Sequence, residues 1–265
     1  MRTEDTMIRA FVVALMLVGA MAVGLTARAV PMMPGPPTAG WLLDEGTGTT
    51  TYELGGVKTG TLNQNAAFST DTPFAYAGNH SLSLTGTTGD RALLAGTPSG
   101  TAGTFQLWVK TNDTAAPQYL IDGTNGHRTL IYRNSATSYS MYINQTSIGG
   151  FPASHTPEGD WTHLAVVWDN SLATGKQQLY VDGVPTNAYN KTLSAKNPAQ
   201  VWLGNRFSNN EALNGKLDEY ALWSTPLGPD EIEWLASNSV HSIPEPCTLA
   251  LLGMGALALL RRRRR

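Results

Sequence analysis

The chain has 265 residues, 42% of them hydrophobic and 14% charged, with 27 Gly and 15 Pro; that much apolar material excludes a disordered chain, and so few charges among so many turn formers exclude a coiled coil. Residues 30–243 hold ten Lys or Arg against seventeen Asp or Glu, a net of −7, the wrong sign for a nucleic-acid partner. The one cysteine, Cys247, lies in a terminal apolar run, so the central region has no internal disulfide, cysteine-ligated zinc or Cys–His nucleophile and must be held by packing.

In chain order, the first feature is an uncharged run at 11–25 (FVVALMLVGAMAVGL), preceded by Arg9 and followed by Ala27-Arg28-Ala29. Small residues at Ala27 and Ala29 fit the rule for signal peptidase, so residues 1–29 read as a signal helix cleaved after Ala29. Fifteen helical residues span roughly 22 Å, short of the ~30 Å that a permanent anchor must cross. Glu4 and Asp5 sit poorly in a basic leader, and Met7 competes with Met1 as the start. Residues 30–40, with MPGPPT at 33–38, read as a linker.

Residues 41–236 read as one all-β domain. Short β-branched or aromatic runs at 81–84, 104–110, 118–121, 129–132, 139–143, 161–168, 176–181, 201–203 and 216–223 are bounded by Gly, Asn, Asp, Ser or Thr, a spacing that predicts a two-sheet antiparallel sandwich. Phe105, Leu107 and Val109 share one face of their strand and Trp108 takes the other, so that strand should be central. Asp182-Gly183 between apolar residues predicts a type I′ hairpin. Pro229-Asp230 opens a helical turn with Ile232 and Leu235 on one side. Residues 237–243 read as a second linker.

The chain ends in Pro244-Glu245-Pro246, fourteen uncharged residues at 247–260 and Arg261, Arg262, Arg263, Arg264 and Arg265. A fourteen-residue apolar helix reaches roughly 21 Å, so it crosses a bilayer only by arginine snorkelling and local thinning, with the Arg block left cytoplasmic. This order over 244–265 resembles the PEP-CTERM sorting signal of bacterial exported proteins, the tail of an exosortase substrate. The resemblance implies transient inner-membrane anchoring, cleavage near the PEP by an exosortase-type enzyme, and delivery to the cell surface or an exopolysaccharide matrix.

The segments at 41–53, 81–86, 104–111, 161–169, 179–185, 201–206 and 213–232 (WLLDEGTGTTTYE, SLSLTG, TFQLWVKT, WTHLAVVWD, LYVDGVP, VWLGNR, LNGKLDEYALWSTPLGPDEI), in that order, resemble the laminin G-like, concanavalin A-like lectin/glucanase jelly roll. The resemblance implies two antiparallel sheets face to face, with relatives that bind sugars, calcium or proteins on a concave face or rim loops.

Two acidic pairs, Asp44-Glu45 near the first strand and Asp218-Glu219 in the last, come together if the terminal strands pair. They read as turn-bonded carboxylates, as Ca²⁺ ligands or as a hydrolytic pair. Hydrolysis is disfavoured because the ExDxxE strand of the glucanase branch is absent, as are GxSxG and HExxH. His163 reads as a packed strand histidine. Calcium after Leu203-Gly204, where the pentraxin branch holds it, is opposed by Arg206; the loop at 122–125 (DGTN) leaves a calcium position open but is as readily a turn. No cofactor is required. The function expected is a non-catalytic exported module that binds a surface or matrix polysaccharide, the alternatives being a structural or adhesive matrix protein and a glycan hydrolase. Between residues 119 and 151, Tyr132, Tyr139 and Tyr142 are the sugar-stacking candidates, and period two forbids Tyr139 and Tyr142 from facing one ligand.

Overall fold

A computed structural model describes residues 31–244. Its strands are β1 (Ala39–Trp41), β2 (Thr50–Tyr52), β3 (Thr59–Asn63), β4 (Ala67–Ser69), β5 (Ser81–Thr85), β6 (Arg91–Ala95), β7 (Ala102–Thr111), β8 (Gln118–Gly123), β9 (Leu130–Ser135), β10 (Ser138–Ile143), β11 (Thr146–Pro152), β12 (Thr162–Asp169), β13 (Gln177–Val181), β14 (Val184–Tyr189), β15 (Gln200–Leu203) and β16 (Asn214–Trp223), followed by the helix α1 (Pro229–Leu235). Two eight-stranded antiparallel sheets result. The first runs β14-β13-β12-β7-β16-β5-β4 with β1 added to β16, the second β11-β10-β9-β8-β15-β6-β3-β2.

Alternation builds the core between the sheets. Leu107 sits opposite Leu164, and Leu164 opposite Val181, so their side chains meet Leu94, Ile121, Ile131, Met141 and Leu203 of the second sheet in one apolar layer. Because β7 lies between β12 and β16, its other face is covered too: Trp108 is buried against Phe74 and His163.

That outer face of the first sheet carries a second apolar layer. Ala165, Tyr180, Ala221 and Trp223 of the strands meet Ile232 and Leu235 of α1, then Val240 and Ile243. Pro229 starts the helix, and Glu231 Oε2 accepts from Gly228 N at 2.7 Å to close its first turn. The β13–β14 turn has Asp182 at φ 49° and Gly183 at φ 79°, the two positive angles of a type I′ hairpin.

Parts of both segments read as linkers, Ala39-Gly40 and residues 239–243, pack on the domain. β16 is ten residues long, and β5 pairs only with Asn214 to Leu217; Ala39, Gly40 and Trp41 take Leu222, Ala221 and Tyr220 on the same edge. Without them buried backbone groups would lack partners. At the other end Ser239, Val240 and Ile243 are buried on the first sheet's outer side. The short strands β1 to β4, and β6, β11 and β14, are not among the predicted runs. Among the described residues no helix is long and apolar enough to cross a membrane; the signal helix and the apolar tail helix fall outside them.

Candidate functional site

The second sheet displays a row of tyrosines on its outer face. In β9, Ile131 points into the core, so Tyr132 points out; in β10, Met141 and Ile143 point in, so Tyr142 points out. Tyr132 pairs with Ser140, which makes Tyr142 its diagonal neighbour, roughly 7–8 Å away by strand geometry. On the other side Tyr132 pairs with Tyr119 of β8, and their rings stack at 4.6 Å and 14°. The row Tyr142–Tyr132–Tyr119 therefore crosses three strands. Tyr132 and Tyr142 are half-buried, whereas Tyr119 is 5% exposed.

Tyr139 does not join them. Its ring is 1% exposed, lies in the core and stacks on Phe151 at 4.8 Å and 2°. Tyr139, Met141 and Ile143 share the face with more apolar area, and that face turns inward. Its hydroxyl accepts from Arg133 Nε at 3.1 Å and from Thr156 Oγ1 at 2.9 Å.

Two guanidinium groups flank the tyrosine row. Arg128 lies 5.8 Å from the Tyr119 ring centroid and 5.0 Å from that of Phe207; Arg206 lies at 5.9 and 5.8 Å from the same rings. Arg128 is fixed by a two-point bond to Asp122, Nε to Oδ1 and Nη2 to Oδ2, both 2.8 Å, and Arg206 bonds Glu211 at 3.0 Å. Asp122 also accepts from Gly123 N and Phe207 N. Its carboxylate is thus bonded to Arg128 and to the backbone of Gly123 and Phe207 within the loop read as a calcium position or a turn. Among the described residues no three His, Cys, Asp or Glu side chains converge on a metal-sized site. Tyr119 and Arg128 were not among the predicted site residues; the pairing of Tyr119 with Tyr132 depends on a β-bulge between Tyr119 and Ile121, for which the sequence has no signal.

Of the two acidic pairs, Asp44 comes near Asp218 and Glu219, beside the chain's own C-terminal segment, while Glu45 turns away. A bulge in β16 between Asp218 and Ala221 puts Glu219 at φ 48°; the extra residue lets Asp218 and Glu219 emerge on the same outer face, where strict alternation would separate them. Glu219 accepts from Ser239 Oγ and, at 3.0 Å, from Val240 N. Asp44 accepts from Tyr76 Oη and His80 N, both at 2.9 Å, and the Tyr76 ring stacks on His241. Burial holds Asp218 far above the ordinary carboxylate range, with Glu219 and Asp44 adding to it. Burial also lifts Glu219 to about 7 against the opposing bonds from Ser239 and Val240. Both carboxylates are at most 1% exposed, so a sugar does not reach them in this arrangement. Glu45 accepts from Thr51 Oγ1 and Tyr52 N, the turn-bonding role. His163 is buried, bonded through Nε2 to Gln106 Oε1 at 2.7 Å, and burial lowers it to about 3, which keeps it neutral.

Two stacked antiparallel sheets, the first of which pairs the chain's first strand with its last, make a jelly-roll sandwich. The chain belongs to the concanavalin A-like lectin/glucanases superfamily, which matches residues 85–233. The PEP-CTERM protein-sorting motif matches residues 242–265, marking the chain for export, surface sorting and processing by an exosortase-type system. Of its residues Pro244 is described; Glu245, Pro246 and Arg261 to Arg265, like Ala27 and Ala29, lie outside the described residues. No curated protein matches the sequence. Among solved structures, domain 4 of AbnA, a GH43 extracellular arabinanase from Geobacillus stearothermophilus in complex with arabinotriose, aligns over 76% of this chain and 98% of its own, at 18% identity and a TM-score of 0.55. The botulinum neurotoxin serotype D binding domain aligns at 11% identity over 76% of this chain, with a TM-score of 0.57; the chain spans 51% of that one. Trypanosoma rangeli sialidase in complex with sialic acid aligns at 14% identity over 80% of this chain and 36% of its own, with a TM-score of 0.56. At these identities the likeness is one of fold.

Proposed function

We propose that the domain is a non-catalytic carbohydrate-binding module, exported and placed at the cell surface or in the extracellular matrix, with a surface or matrix polysaccharide as its partner. The observation that carries this reading is the tyrosine row. A sugar ring offers an apolar C–H face that stacks on an aromatic, while the phenol hydroxyl and the neighbouring Arg128 and Arg206 offer polar contacts. The arabinanase domain with arabinotriose supports it by analogy of fold, and the sorting tail by its destination. Burial of Asp218 and Glu219 under residues 239–243 favours binding over hydrolysis. The site needs no cofactor in this reading, and signal peptidase and an exosortase-type enzyme are the processing partners.

Affinity electrophoresis against a polysaccharide panel tests it. Tyr132→Ala and Tyr142→Ala should each weaken retardation roughly 2- to 10-fold with little loss of melting temperature. Tyr139→Ala, a core change, should lower the melting temperature and leave the affinity of the folded fraction for neutral polymers intact. If no polymer retards the folded wild type, the structural or adhesive reading replaces this one.

A further inference from the structure

We propose a second, separate site on this chain, for the carboxylate of an acidic sugar unit, built on Arg133 at the end of the sandwich beside the β9–β10 hairpin. The proposal rests on the glycan reading of the domain and adds the charge of the ligand.

Period two sets Arg133 on the same inward face as Ile131, opposite Tyr139. The side chain of this cation is consequently buried, at 2% exposure. Its fixed partners are neutral: Nε donates to Tyr139 Oη at 3.1 Å, Nη1 donates to the Asp113 carbonyl at 3.3 Å, and Cζ lies 5.1 Å from the Tyr139 ring centroid. Two of the five guanidinium N–H groups are thereby used. Among the described residues no carboxylate stands within ion-pair distance of it, whereas Arg128 and Arg206 each hold one. Asp113 senses the charge of Arg133, but its carboxylate is occupied by Gln118, Asn214 and Ala115 N. Burial alone would raise Asp113; these bonds and the charge of Arg133 bring it below its ordinary value. A buried charge with only neutral contacts is costly, and an incoming anion relieves that cost.

Arg133 also lines a cavity of about 460 Å³, together with Thr114, Thr137, Ser154, Thr156 and Glu158. That volume lies in the range of ligand pockets, roughly 300–1,000 Å³. The planar guanidinium matches a carboxylate in two-point geometry, and the hydroxyls of Thr and Ser match those of a sugar ring. Tyr139, its hydroxyl fixed in turn by Thr156, holds the arginine in place and so acts from beneath this pocket as a positioning residue. Glu158, exposed on the same wall, opposes an anion and supplies a test of sign.

The experiment compares glucan with polyglucuronate, which differ in the oxidation of C6, alongside the neutral panel above, by affinity electrophoresis and calorimetry on the full exported chain. Wild type should prefer polyglucuronate on the order of 10- to 100-fold, the worth of a charge-assisted contact. Arg133→Gln should abolish that preference and leave neutral polymers on the tyrosine row untouched. Ser154→Asp places a negative charge on an exposed wall without disturbing the core and should abolish it equally; Glu158→Gln should strengthen it a few-fold. If neutral polymers bind and polyglucuronate is not preferred, this site falls while the glycan reading stands. If the preference survives both Arg133→Gln and Ser154→Asp, the acidic unit binds elsewhere and the assignment is wrong. If nothing binds, both readings fall.

Discussion

Replacing Glu219 by Gln isolates the carboxylate that grips the C-terminal segment. Folding lifts this group from its ordinary 4.5 to about 7, chiefly by burial. Between those values the folded state holds a proton that the unfolded state has released, so stability falls as pH rises through the window and levels off above about 7. A difference of two and a half pH units at ~1.36 kcal/mol each makes about 3 kcal/mol. The amide cannot ionise. Relative to wild type, Glu219→Gln should therefore gain about 3 kcal/mol on going from pH 4.5 to pH 8, or roughly 6–12 °C in melting temperature for a domain of this size. Wild type alone does not display this slope cleanly. His163 is held at about 3, below its ordinary 6.5; the folded state then binds fewer protons between those values, and stability falls as pH drops. The two groups oppose each other from pH 4.5 to 6.5, so the variant-minus-wild-type difference is the quantity to measure, by urea unfolding at several pH values. A difference constant across the range would mean that Glu219 is ionised without penalty, and the account of a buried carboxylate under residues 239–243 would be wrong.

Gly183→Val should cost on the order of 1–3 kcal/mol, because Gly183 has φ 79° and a Cβ there would stand 3.1 Å from Glu233 Cα and 3.0 Å from Ala236 Cβ; an unchanged melting temperature would refute the strained turn. Asp71 is drawn down to about 2 by Lys110, Lys216 and Trp161, although burial works against them. Asp71→Asn should accordingly destabilise above the ordinary carboxylate value and converge with wild type as pH falls through 2, as read by acid unfolding. Intact-mass analysis of protein from its native host should find an N-terminus at Val30 and a C-terminus within 244–246; surface molecules that keep the arginine block would refute processing of the tail.

Much of the fold is legible because alternation and turn chemistry agree. Phe105, Leu107 and Val109 against Trp108 announce a central strand, and Asp182-Gly183 announces its hairpin. The three-residue strands β1, β2 and β4 carry too few positions for a period, and long-range pairing decides them: β1 exists because the far half of β16 needs an edge partner. The site is less legible. Alternation says that Tyr139 and Tyr142 oppose each other, and the apolar company of Met141 and Ile143 is the signal that Tyr139 is the inward one. Arg133 follows Ile131 by two and so shares its face, but a charge on a strand is ordinarily assigned to solvent. The meeting of Asp218 and Glu219 depends on one bulge residue with a positive φ, for which Glu is a poor sequence signal.

The covering of the first sheet decides which faces of the domain stay open. α1 and residues 239–243 fill the outer face of that sheet, clasped by Glu219 and packed through Ile243. The outer face of the second sheet and its rim, where Tyr132, Tyr142 and the Arg133 cavity lie, stay open, and the proposed glycan binding rests on them. Ile243 packs on the first sheet's side of the sandwich, across the core from the tyrosine row.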